Sequence, residues 1–219
     1  AFANKNLISL KIDAEKGEGI ELAKQFGVRG FPTIIIANEN GQEVDRIVGY
    51  MPPEPFLEKL NQIKDGINTL PTLLGELELD GTKFSTLFKL ANKYENMNDK
   101  ASAREMINAI LEAGTDSSGA AAFQSILYDA RETRDPTPLI VYADKNPNSE
   151  NSINALQEAM YLVRQRGVDP ELEANLYIRV VNANKDPNSG FLNGFAWRMS
   201  ELKLNLDLAS VTHSHSSPH

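Results

Sequence analysis

The run Gly27-Val28-Arg29-Gly30-Phe31-Pro32-Thr33-Ile34-Ile35-Ile36 constrains the fold of this chain more than any other segment. Its two glycines give the backbone the freedom that a tight turn needs. Pro32 then marks the mouth of a strand, because a residue without an N–H is tolerated at a strand's first position or on its edge. Thr33-Ile34-Ile35-Ile36-Ala37 is an almost unbroken β-branched run, the pattern of a strand covered on both faces. Upstream, Ile20, Leu22, Ala23 and Phe26 merge into one helical stripe, and Gly27 stands where a left-handed C′ residue belongs. The spacing therefore predicts a helix delivered through a turn into a strand.

The flanks extend this order. Residues 7–12 alternate, with Ile8, Leu10 and Ile12 on one face and Leu7, Ser9 and Lys11 on the other, which predicts a strand. Asn38-Glu39-Asn40-Gly41 carries turn chemistry, and Val44-Asp45-Arg46-Ile47-Val48 returns as a more polar edge strand. Pro52, Pro53 and Pro55 suit a helix start, with Phe56, Leu57, Leu60 and Ile63 as its apolar face up to Gly66. The first third reads β-α-β-β-α.

The 219 residues suffice for two small domains. A formal charge of −8, with no cluster of more than two Lys or Arg, excludes a nucleic-acid footprint, so nucleic acid is not a partner. No apolar run reaches the roughly 20 residues of a membrane span. The chain has no cysteine, and so no thiolate nucleophile, disulfide or Cys-ligated metal. His213, His215 and His219 are its only histidines, which removes Ser-His catalysis from the body. The sequence therefore offers no catalytic residue, no metal site and no cofactor site. Asp13, Glu15 and Glu18 lack the spacing of a calcium loop and read as a solvated turn, and Gly17-Glu18-Gly19 is too short to cradle phosphate.

Beyond Thr69-Leu70-Pro71-Thr72 the pattern is helical. Phe84, Leu87, Phe88, Ala91 and Tyr94 make one stripe; Ala103, Met106, Ile107, Ile110 and Leu111, closed by Gly114, make its antiparallel partner. Phe123, Ile126, Leu127 and Ala130 form a third, and Ile153, Leu156, Met160 and Val163 run to Gly167. Asp169-Pro170 then has the form of an N-cap with proline at N1. Lys145-Asn146-Pro147-Asn148-Ser149 returns as Lys185-Asp186-Pro187-Asn188-Ser189, each a proline break and a serine cap. Stacked hairpins of a tetratricopeptide-like kind are expected, although the repeat exceeds the usual period of about 34. Phe195 and Trp197 read as core. The fold class is α/β followed by all-α: a partial domain at 1–66, a linker at 67–81, a helical array at 82–209 and a disordered tail at 210–219.

Lys11-Ile12-Asp13, the Val28–Thr33 loop, Asn40-Gly41 and Val48-Gly49-Tyr50, in that order and at those intervals, resemble the second half of a thioredoxin domain over about residues 4–65. Asn193-Gly194-Phe195-Ala196-Trp197 with Asn205-Leu206-Asp207-Leu208-Ala209 looks like the last repeat of bacterial thioredoxin proteins that carry a helical tail. The resemblance implies a truncated thioredoxin-like unit whose cis-proline loop offers Phe31, Pro32 and Thr33 to a protein or peptide substrate, with Gly49 flanking the groove. Ser9 stands where many members carry a buried lysine. The bland alternative is that Pro32 shapes a turn and Gly49 ends a strand.

Two functions follow from the resemblance. One is a fragment of a thiol-disulfide oxidoreductase, redox-inactive without its Cys-x-x-C, which would lie upstream of Ala1. The other is a redox-inactive adaptor that binds peptides or partner proteins. Family members of this layout imply a periplasmic home. Without a central strand, strand 7–12 is expected either to pair with 33–37 or to leave an exposed edge that invites a homo-oligomer.

Overall fold

The computed structural model describes residues 2–183 and 189–206. The chain forms two compact units, Ala1–Ala122 and Phe123–His219.

The first unit opens with a short helix, α1 (Phe2–Asn6), followed by a segment at 7–12 that is not a strand. The alternation there predicts half-burial, yet Ile8 is 93% and Leu10 80% exposed. A strand is stabilised by its ladder and by cross-strand side-chain pairs, and no neighbour pairs with this one among the described residues. Helix α2 (Glu18–Gln25) follows and closes on Gly27 at φ 60°.

Strands β1 (Thr33–Ala37) and β2 (Glu43–Val48) form an antiparallel hairpin in the register Thr33–Val48, Ile34–Ile47, Ile35–Arg46 and Ile36–Asp45. Asn38 organises the turn: its side-chain oxygen accepts from the N–H groups of Asn40 and Gln42. The register slips by one residue beyond Ile36, where Ala37 meets Glu43. β1 is less fully covered than its composition suggests: Ile34 is exposed, although Ile36, two residues on along the same face, is packed. The core there is Ile47, Leu60 and Ile63, against which Phe2, Ile36, Val44, Met51 and Phe56 pack. Helix α3 (Pro53–Lys64) supplies Leu60 and Ile63 and carries prolines in its first turn, where no N–H is needed.

The stretch 67–81, expected as a linker, holds a helix instead, α4 (Leu70–Leu79), with Leu73 fully buried. It packs on α5 (Phe84–Asn96), and α5 packs on α6 (Lys100–Glu112) as the two apolar stripes predict. Leu87, Leu90, Ala103, Ile107 and Ile110 are almost wholly buried. Asp99 caps α6, its carboxylate accepting from the Ser102 N–H and hydroxyl.

The second unit is helical throughout its described residues. Helix α7 (Ala120–Thr133) begins just before the unit boundary and is followed by α8 (Thr137–Lys145), α9 (Glu150–Arg166), α10 (Pro170–Ala183) and α11 (Ser189–Leu202). Leu127, Leu139, Leu156, Leu162, Leu176 and Val180 draw four of these helices into one core. Ser149 caps α9 through the Asn151 N–H, Gly167 closes that helix at φ 65°, and the Asp169 carboxylate accepts from the Leu172 N–H at the start of α10. Phe195 and Met199 of α11 are buried against Ala174 and Tyr177 of α10. Buried Glu173 receives a bidentate pair of hydrogen bonds from Arg198 beside this core. Trp197, expected in the core, is 73% exposed and donates to Glu201. Residues 185–188 of the second proline break, the stretch 207–209 and the tail at 210–219 with all three histidines lie outside the described residues.

Candidate functional site

The loop that carries Pro32 is held by backbone contacts from several elements. Gly27 lies so close to the end of α5 that an added Cβ would stand 2.2 Å from the Met97 carbonyl oxygen. Two residues on, the Arg29 guanidinium donates to the Glu95 carbonyl at 3.0 Å. The last carbonyls of a helix have no intrahelical donor and carry its negative pole, so an arginine there is doubly favourable. Arg46 of β2 adds a second guanidinium at the same pole, donating to the Asn96 carbonyl and to the Phe26 carbonyl, each at 2.8 Å. α2, the loop, β2 and α5 are thereby tied together ahead of Pro32.

At the loop's exit the Phe31–Pro32 peptide is cis, the Thr33 hydroxyl donates to the Gly30 carbonyl at 2.8 Å, and the Gly49 N–H donates to the Pro32 carbonyl at 2.8 Å. The structure thus brings Pro32, Thr33 and Gly49 together at one end of the hairpin, with Phe31 beside them, 65% exposed. Tyr50, also exposed, follows Gly49 directly. Because Pro32 and Gly49 form a hydrogen-bonded pair, alternation along an antiparallel ladder makes Ile34–Ile47 and Ile36–Asp45 the next bonded pairs. The N–H and C=O groups of Thr33 and Ile35 consequently point to the outer edge of β1, where no strand pairs among the described residues.

Other sequence candidates resolve differently. Asp13 accepts from the Glu15 N–H and pairs with Lys16 on the surface, while Ser9 is exposed. Among the described residues no group of three His, Cys, Asp or Glu side chains is placed to hold a metal ion, and no helix is long and apolar enough to cross a membrane.

Sequence reasoning missed a buried ionic cluster on β2, where Asp45 reaches α3 and α5 and Arg46 reaches the ends of α2 and α5. Glu43 and Arg46 form a bidentate pair with both side chains more than nine-tenths buried. Asp45, equally buried, accepts Lys59 of α3 at 3.2 Å on one oxygen and Lys93 of α5 at 2.7 Å on the other. A cleft of about 300 Å³ opens over this cluster, bordered by Lys89, Asn92 and Asn96 of α5 and by Asn68. The polarity of Val44-Asp45-Arg46 was the only signal, and it reads equally well as an edge strand.

Residues 7–64 match the model of a thioredoxin-like domain. No curated protein and no solved structure matches the chain. The matched thioredoxin-like segment runs from the exposed stretch at 7–12 to the last residue of α3 and contains Phe31, Pro32, Thr33 and Gly49. It contains no thiol, since the chain has no cysteine.

Proposed function

We propose that this chain is a redox-silent binding module whose thioredoxin-like unit takes an extended peptide along the outer edge of β1, next to Phe31 and Gly49. The observation that carries this reading is the pair of outward-facing residues Thr33 and Ile35. Each offers a backbone donor and acceptor to an added strand, and Phe31 and Tyr50 supply apolar surface where its side chains would land. The helical array, read as tetratricopeptide-like hairpins, is proposed as a second protein-binding surface of the same adaptor.

The test is titration of the whole chain with a panel of extended peptides, followed by backbone amide NMR. Saturable shifts and slowed hydrogen exchange at Thr33 and Ile35 are expected. Ile35→Pro removes an outward donor that the hairpin does not use, so it should abolish binding while leaving the thermal midpoint close to wild type. Binding that survives this substitution defeats the edge-pairing reading.

The thioredoxin-like match favours one further reading. Here the unit is the substrate-docking half of a thiol-disulfide oxidoreductase whose cysteines stand outside these residues. That reading predicts disulfide reduction by the product of the complete reading frame and none by the 219-residue chain.

A further inference from the structure

The cleft over the buried ionic cluster has a charge opposite to that of the molecule around it. Arg46, Lys59, Lys89 and Lys93 line it against only two carboxylates, Glu43 and Asp45, so it carries a net charge of +2 within a chain of formal charge −8. We propose that this cleft binds a phosphate-type dianion, free or as a small phosphomonoester.

The placement of the cations follows from packing. Asp45 holds Lys59 and Lys93 on its two oxygens, so ammonium groups from two different helices meet at one buried carboxylate. Lys89 lies one helical turn before Lys93, which puts both on the same face of α5. Its ammonium donates to the Asn68 side-chain oxygen at 2.7 Å, an interaction that orients it without neutralising it. An ammonium has three donors, and each of these lysines spends one on a protein acceptor in the contacts described. The remaining donors, with the side-chain amides of Asn92 and Asn96, border a cavity of about 300 Å³. That volume is at the lower bound of small-ligand sites.

The donor set also selects the anion. Planar, two-pronged recognition of a carboxylate is the work of an arginine fork, and the fork of Arg46 is already taken up by Glu43 and two backbone carbonyls. Lysines act instead as point charges, which suits a tetrahedral group whose oxygens diverge in several directions.

The experiment titrates the full chain with inorganic phosphate, O-phosphoserine and succinate at constant ionic strength set by chloride, read by amide NMR. Saturable shifts at Lys59, Lys89, Asn92 and Lys93 are expected with the two phosphates. Lys89→Gln should weaken phosphate binding about tenfold, the loss expected for one charge-assisted hydrogen bond, with an unchanged thermal midpoint because Lys89 is exposed and Gln keeps a donor for Asn68. Lys11→Gln, exposed and away from the cleft, should bind as wild type does. Tighter binding of O-phosphoserine identifies an ester as the ligand and equal binding the free ion; both support the site. Succinate binding as tight as phosphate, shifts that chloride reproduces, or a Lys89→Gln variant with undiminished affinity would overturn it.

Discussion

Gly27 and Gly49 flank the same loop and both have left-handed backbones, at φ 60° and 83°, yet they serve different physical needs. A side chain at Gly49 meets open space, whereas one at Gly27 collides with the Met97 carbonyl, a backbone atom that cannot swing away. Gly49→Ala should therefore cost about 1 kcal/mol, the conformational penalty alone. Gly27→Ala should cost about 3 kcal/mol, because strain and close approach combine. Urea midpoints of the two variants measure the difference, and equal losses would mean that the contact with α5 yields freely. The sequence makes Gly27 legible as a helix-closing residue. Its approach to α5 is not legible, because the residues it meets lie some seventy positions downstream and carry no signature of their own. The same holds for Arg46: a charged residue in a strand pattern reads as solvent-facing, and only the fold shows it buried against Glu43 and the end of α5.

At the scale of elements, prolines account for the helices that pattern reading passed over. α4 begins Leu70-Pro71 and α8 begins Thr137-Pro138, each with proline in the first turn, where its missing N–H is one of the unpaired donors anyway. Read as punctuation, Pro71 makes Thr69–Thr72 look like a joint, and Pro136 with Pro138 makes the start of α8 look like the end of α7. Periodicity alone was sufficient for α5, α6, α7 and α9, whose stripes are long and apolar. The opposite error arises at 7–12, where clean alternation specifies a strand only if another strand is present to receive its hydrogen bonds. Two substitutions separate these cases. Leu10→Ser, at a side chain 80% exposed, should change stability by less than about 0.5 kcal/mol. Leu73→Ala, in the stretch that reads as a linker, should cost about 3 kcal/mol, because Leu73 is wholly buried. Denaturant titration followed by circular dichroism checks both; a large loss at Leu10 would require a buried partner for that segment.

Across the molecule, carboxylates with depressed pKa values occur in both units, and their hydrogen-bond donors make the pH response calculable in sign. In the first unit the Thr86 hydroxyl, assisted by Lys83, holds Glu76 below its ordinary value of 4.5, and the Thr82 N–H and hydroxyl hold Asp80 below 3.8. In the second, the Thr137 N–H lowers Asp135, and Arg198 with Trp197 lowers Glu201. Each group binds its proton less tightly folded than unfolded, so its contribution is fully present above the unfolded pKa and disappears as pH falls through the lower folded pKa. Tyr94 acts in the other direction: burial, with Asp99 and Glu105 nearby, raises its pKa, and the stability it contributes is lost as pH rises through that range. Stability should form a plateau between about pH 5 and pH 9 and fall on both sides, with the acid loss shared by the two units. Urea midpoints measured from pH 3 to pH 10, with amide signals from each unit as separate probes, test this, and midpoints that hold constant down to pH 3 would contradict it. Thr86→Val isolates one contribution. It leaves Glu76 without its principal donor, so the Glu76 carboxyl should titrate closer to the ordinary glutamate value in a carbon-detected NMR titration, and the acid loss of the first unit should shrink while that of the second stays as it was.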